Sequence, residues 1–206
     1  MGGCSIDMEN WTKDIDFYKT NLEQNHIDLY HTISKVEFEK EIQQIKSTLN
    51  KKSDVEIIID LMRLTRKIGD GHTAFSLRGV ETHLFPIEIY KINGQWRVIK
   101  TTHNHSNLLG KIVTNIDGKS INKIAREVSE IAQYVENKQS EIIRTGEYLM
   151  ISELLFGLQL TNNEFKAEFS FIDDNNKASN VMLNAINNKD YYENTDFQTF
   201  KIISVR

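Results

Sequence analysis

The 206-residue sequence predicts an α+β fold: a helical amino-terminal part, a β-rich middle, and a closing helix with a hairpin. Two observations carry this. In the first third, apolar residues recur with helical spacing behind two S-x-x-E signatures. After residue 76 the texture changes to short β-branched runs punctuated by Asn-Gly, Asp-Gly and DDNN turns. These changes divide the chain into residues 1–76, 77–135 and 136–206.

A first helix is expected from Trp11 to Leu22, where Trp11, Ile15, Phe17, Tyr18 and Leu22 fall mostly on one face, and Asn25 and His26 then interrupt it. Ser34 with Glu37 opens a second helix whose stripe is Val36, Phe38, Ile42, Ile45 and Leu49. Ser53 with Glu56 opens a third, through Val55, Ile58, Leu61, Met62, Thr65 and Ile68. Lys67 in its last turn and Gly69 just beyond suit a helix C-terminus, because the lysine meets the negative end of the dipole and glycine accepts a left-handed cap.

The middle part reads as strands. FPIEIY and QWRVIK flank Asn93-Gly94, a hairpin signal, and the single proline, Pro86, begins or edges the first of them. KIVTNI is a further strand closed by Asp117-Gly118, and INKIAREVSEIAQYV returns to helical periodicity. A polar connection and the apolar run YLMISELLFGLQL follow. EFKAEFSFI and SNVMLNAI then form a hairpin across DDNN, and the tail from Asn187 is expected to be loosely held.

Composition excludes several function classes. With 39% apolar and 26% charged residues the chain is globular in character, and its net charge of -4 without a Lys/Arg run argues against nucleic acid as a partner. Cys4 is the only cysteine, so no disulfide staples the chain to itself. Its setting, MGGCS, has two readings. One is an exposed terminus. The other is a trimmed lipoprotein start, with a lipid anchor through Cys4 and an extracytoplasmic or membrane-anchored location, although no apolar leader precedes it here. Ile6 stands where N-myristoylation requires Ser or Thr. No apolar window reaches the roughly 18 residues of a membrane span.

Among candidate chemical groups, KIGDGHT stands out. A helix stops on Gly69, and a second glycine, Gly71, hands the chain at once to His72. A tight turn at a junction of elements is where chemistry is often displayed, although a histidine satisfying backbone groups fits the same residues. His103 and His105 in THNHS have alternate spacing without a third fixed ligand, and their Asn and Ser neighbours suggest a solvated loop. His26, His31 and His83 sit among ordinary polar residues and receive no role. No G-x-S-x-G elbow is present. Ser120 and Lys123 form S-x-x-K, but Ser120 sits where a helix N-cap belongs, and Asp173 and Asp174 belong to the hairpin loop. No cofactor and no metal are expected.

Several of these stretches together resemble the C-terminal-processing, or tail-specific, serine peptidases, including relatives of the tricorn core. They are DLMRLTRKIGDGHTAF, FPIEIY with WRVIK, LLGKIVTNIDGKSINKI and YLMISELLFGL, in family order and spanning most of the chain to about Ile186. The resemblance implies a PDZ-like character for residues 77–135, gripping the termini of a peptide or protein substrate. It also implies that His72, the position matching the family's motif, is a candidate general base. Other branches of the family use a serine-lysine pair instead. Family members continue into an α/β domain bearing the nucleophilic serine and oxyanion donors, which nothing after Ile186 resembles. The expectation is therefore a substrate-presenting, amino-terminal portion whose partner is the missing C-terminal catalytic domain, inactive alone. The alternatives are a stand-alone peptide-binding module or a secreted lipoprotein of structural role.

Overall fold

A computed structural model describes residues 8–193 and 197–199; Cys4 and its lipoprotein reading lie outside the described residues. The chain forms two compact units. One holds the chain up to Ser76 together with Gln133–Glu136; the other holds Leu77–Ala132 and the chain from Asn137 onward.

The first unit is helical. Its helices are α1 (Met8–Asn25), α2 (Lys35–Ser47) and α3 (Asp54–Ile68). The Ser34 hydroxyl accepts the Glu37 N–H at the start of α2, and Ser53 with Glu56 forms a reciprocal capping box at the start of α3. Ile15, Phe38, Ile42, Ile57, Leu61, Leu64 and Ile68 meet in one apolar core. Polar ties fix α1 to α3: the Trp11 indole donates to Asp54 at 2.7 Å, and the Tyr18 and Thr65 hydroxyls meet at 2.8 Å.

Helix α3 ends as its residues dictate. Gly69 adopts φ 76° and its N–H returns to the Arg66 carbonyl at 3.2 Å. Thr32 supports the same end by donating to the Lys67 carbonyl at 2.7 Å and to the Ile68 carbonyl. A Cβ on Gly69 would stand 2.9 Å from the Thr32 side chain, on top of the left-handed backbone. Gly69→Ala is therefore expected to destabilise this unit by about 2 kcal/mol in a urea titration, and a change below about 0.5 kcal/mol would contradict this account of the cap.

The second unit contains β1 (His83–Leu84), β2 (Ile87–Ile92), β3 (Gln95–Thr102), β4 (Ile112–Ile116), β5 (Lys119–Ser120), α4 (Ile121–Ser129), α5 (Lys138–Tyr148), α6 (Ser152–Gly157), β6 (Lys166–Ile172), β7 (Ala178–Asn184), β8 (Ile186–Asn187), α7 (Asn188–Glu193) and β9 (Phe197–Thr199). Among the described residues the antiparallel strands run β2-β3-β4-β6-β7, with β5 beside β4 and β9 beside β3, while β1 pairs with β8. Asn93 (φ 50°) and Gly94 (φ 81°) make the tight turn joining β2 to β3, and Pro86 immediately precedes β2. Along β6 the alternate residues Ala167, Phe169 and Phe171 face inward, and Phe85 meets Phe169 edge-on at 5.0 Å. Because β6 is hydrogen-bonded to β4, the last hairpin belongs to the same unit as the middle strands. None of the described helices is long and apolar enough to cross a membrane.

Several local expectations change. The helix read to Val135 stops at Ser129; beyond it Ile131, Ala132, Gln133 and Val135 are buried, and Tyr134 takes a left-handed φ of 58° that no α-helix continues through. Ser120 occupies the N-cap position of α4 without a side-chain cap bond. The polar connection after it is helix α5, opened by Asn137, whose side chain accepts the Gln139 and Ser140 N–H groups. The run YLMISELLFGLQL keeps only a short helix, α6. The described part of the tail expected to be loose instead contributes to β8 and supplies α7 and β9, with Tyr191 buried; residues 194–196 and 200–206 lie outside the described residues.

Candidate functional site

The first unit's KIGDGHT segment brings together residues that the sequence named and others that it passed over. Asp70 is the organiser. Its Oδ1 accepts the His72 N–H at 3.0 Å and its Oδ2 accepts the Thr73 hydroxyl at 2.7 Å. These bonds, the His72 amide first, hold the Asp70 carboxyl below the ordinary carboxylate range, because they favour the charged form.

His72 then projects outward, its side chain 86% exposed, with Nδ1 3.6 Å from Asp70 Oδ1 and Nε2 3.7 Å from Glu136 Oε1. Neither distance is a hydrogen bond; each sets a carboxylate near one ring nitrogen, an ion pair only when the imidazole is protonated. His72, Asp70, Gly69, Gly71 and Glu136 line an open concavity of about 460 Å³ with His26, Asp28 and His31. No serine lines it, and no group of three or more His, Cys, Asp or Glu among the described residues is arranged to hold a metal.

The second glycine has a separate cause from the first. A Cβ on Gly71 would lie 2.1 Å from Glu136 Cγ and 3.2 Å from its Cα, so Gly71 is what lets the 133–136 segment approach the helix end. That segment is anchored by Gln133, which is buried: its Oε1 accepts the Phe75 N–H at 2.9 Å and its Nε2 donates to the Met62 carbonyl at 3.0 Å. Tyr134 beside it sits at φ 58°, a left-handed conformation that a non-glycine residue adopts only under constraint.

Acid should loosen this turn. Asp70 has a folded-state pKa below its unfolded one, so its contribution is present above about pH 4 and is lost as pH falls through the folded value. The amide resonances of His72 and Thr73 are expected to make a distinct move below about pH 4, as Asp70 protonates. Asp70→Asn should abolish that transition, and an unchanged acid transition in the variant would refute the assignment.

In the second unit a cavity of about 500 Å³ is lined by Leu84, Ile89, Tyr148, Met150 and Tyr191, with Glu88 among its polar groups. Strand β2 is an edge of the sheet, but α5 closes on it: a Cβ on Gly146 would stand 2.7 Å from the Ile89 carbonyl oxygen. The Gln139 side chain donates to the Tyr90 hydroxyl at the same seam.

The folds of solved proteins offer a comparison. The chain is similar in fold to CPAF, a chlamydial serine protease related to the tail-specific proteases. A crystal structure of a serine-to-alanine variant of CPAF matches with TM-score 0.65 at 10% identity, covering 87% of this chain and 34% of CPAF. Mature CPAF complexed with lactacystin matches with TM-score 0.63 at 11% identity, and mature CPAF alone with 0.61 at 12%; each covers 87% of this chain and 35% of CPAF. The chain thus spans about a third of the length of the CPAF chains it matches, and at this identity the likeness is one of fold. No protein-family model matches the sequence, and no curated protein does.

The remaining histidines separate clearly. His103 and His105 lie in a 3-10 turn, His103–Leu108, and burial lowers the His105 pKa. His83, which the sequence left without a role, makes a 2.6 Å bond through Nδ1 to Glu153, whose side chain is 9% exposed. His26, equally unassigned, lies behind Asp70, with Nε2 3.3 Å from Asp70 Oδ2. Both contacts join residues far apart in sequence, so no local motif announces them.

Proposed function

We propose that this chain is the amino-terminal, substrate-presenting part of a serine-type peptidase of the tail-specific, tricorn-like kind, with His72 as its general base. The observation that carries the reading is an exposed imidazole, delivered by a glycine-terminated helix to an open concavity with a carboxylate near each ring nitrogen. The fold likeness to CPAF supports it.

In this mechanism a serine hydroxyl attacks the peptide carbonyl carbon while His72 Nε2 takes its proton. The imidazolium then returns that proton to the leaving amine as the C–N bond breaks, and water repeats the cycle on the acyl-enzyme. A histidine serves because its ordinary pKa near 6.5 lets it take and return a proton around neutrality. The concavity's lining supplies no serine, so the reaction requires a nucleophile and oxyanion donors from a partner domain. In this reading the PDZ-like role falls to the second unit, where the cavity lined by Leu84, Ile89, Tyr148, Met150 and Tyr191 is the place for a substrate terminus.

The 206-residue chain is expected to bind short peptides through the second unit, to lose affinity when their C-termini are amidated, and to hydrolyse none of them. Chemical-shift mapping on β2 and α5, with a fluorogenic peptide assay alongside, checks both parts. Absence of any peptide binding would remove the substrate-presenting role. Robust turnover by highly purified chain, abolished by His72→Ala, would show that it needs no partner domain. A stand-alone peptide-binding module is the second reading, and the second unit's own cavity of about 500 Å³ favours it. Peptide binding to the second unit that survives every change at His72, Asp70 and Glu136, with no peptidase activity in any longer form of the protein, would select it.

A further inference from the structure

We propose that Asp70 and the buried imidazole of His26 are positioning groups that set the orientation and tautomer of His72. This deepens the peptidase reading and rests on it for the use made of the His72 ring.

The carboxylate of Asp70 is held in place, bonded on one oxygen by the His72 amide and on the other by the Thr73 hydroxyl. It therefore presents a fixed negative charge 3.6 Å from His72 Nδ1. Behind it stands His26, its side chain only 10% exposed. The His26 Nδ1 lone pair is occupied by the Asp28 N–H at 3.1 Å, so the neutral ring carries its proton on Nε2. That nitrogen is sealed from solvent and satisfied by no aligned hydrogen bond, yet it faces Asp70 Oδ2 at 3.3 Å. A buried donor aimed at a carboxylate it does not fully engage marks a group poised to tighten onto it.

The consequence falls on the exposed ring. A fixed carboxylate beside Nδ1 favours the tautomer with its proton there, leaving the Nε2 lone pair outward, the form a general base needs. Glu136 acts in the opposite sense, since its Oε1 lies 3.7 Å from Nε2 and favours a proton on that nitrogen. The contest goes to Asp70, because Asp70 is tied by two short bonds whereas the Glu136 side chain is 56% exposed.

The test is the imidazole nitrogen spectrum of the 15N-labelled 206-residue chain at about pH 8, above the ordinary histidine range, where long-range 1H–15N correlations report which nitrogen is protonated. His72 is expected to carry its proton on Nδ1 and His26 on Nε2. In Asp70→Asn, whose amide oxygen still accepts the His72 N–H, the His72 tautomer ratio should move several-fold toward Nε2–H, with His31 and His103 unchanged. His26→Leu should move it the same way by less. A wild-type His72 protonated on Nε2 overturns the proposal, as does an unchanged ratio in folded Asp70→Asn. Should that variant not fold, the wild-type spectrum alone decides. An Nδ1-protonated His72 in a chain that binds no peptide would keep this inference and sink the peptidase reading.

Discussion

Gln133→Leu is expected to lower the unfolding free energy of the first unit by about 3 kcal/mol. The residue is 1% exposed, and its amide acts at both ends, accepting from the Phe75 N–H and donating to the Met62 carbonyl. Leucine keeps roughly the volume but leaves a buried N–H and a carbonyl without these partners, each costing about 1–3 kcal/mol. Gln133→Glu should be almost as damaging, since it keeps an acceptor for Phe75 but replaces the donor facing Met62 with a second oxygen. Urea unfolding followed through Trp11, which belongs to this unit, measures the loss. A change below about 1 kcal/mol would mean that water replaces the amide and that the segment is not anchored as described. The same substitution should also alter the surroundings of His72, because Gln133 is the fixed end of the segment that carries Glu136.

The parts of the molecule that were legible in the sequence are those governed by neighbours along the chain. Ser53 and Glu56 announce the start of α3, and Gly69 announces its end through a left-handed cap that few other residues accept. Asn93-Gly94 announces the β2–β3 turn for the same conformational reason. His72 was legible as an unusual delivery of an imidazole, and the structure leaves its ring open to solvent.

What stayed hidden depends on contacts between distant residues. Gly71 looks like half of a tight turn; its missing side chain also makes room for Glu136. Residues 131–135 continue the helical spacing of α4 well enough to be read as helix, yet Gln133 serves a bond partner 58 positions away, which a helical face could not have revealed. Helix α5 was missed for the opposite reason: its cap, Asn137 with Ser140, lacks the acidic residue of the commoner box. The closing tail reads as polar and loose because Tyr191 finds its core in strands laid down about a hundred residues earlier, and its hydroxyl donates to Glu88 on β2 at 3.2 Å.

His83→Ala is the substitution expected to disturb the second unit most. Glu153 is a buried carboxylate whose Oε1 is met by His83 Nδ1 at 2.6 Å, while Oε2 takes the His83 backbone N–H at 3.0 Å and the Ser152 hydroxyl at 3.3 Å. Removing the imidazole strips one oxygen of its partner in a place water reaches poorly, and also removes the edge-on contact with Phe165 at 4.8 Å. Breaking a buried pair in this one-sided way costs about 3–5 kcal/mol when the remaining charge is fully enclosed, and about 2–4 kcal/mol is expected here because the His83 ring is partly open to solvent. Glu153→Gln should cost less than His83→Ala, since the neutral amide needs no counter-charge. The double variant should be less damaged than the two losses added together, by at least about 1 kcal/mol, because once the acid is neutral the missing imidazole no longer strands a charge. Additive losses in that cycle would show that the two side chains act independently, and the strand β1 to helix α6 tie would then have to rest on the backbone pairing of Leu84 with Ile151 instead.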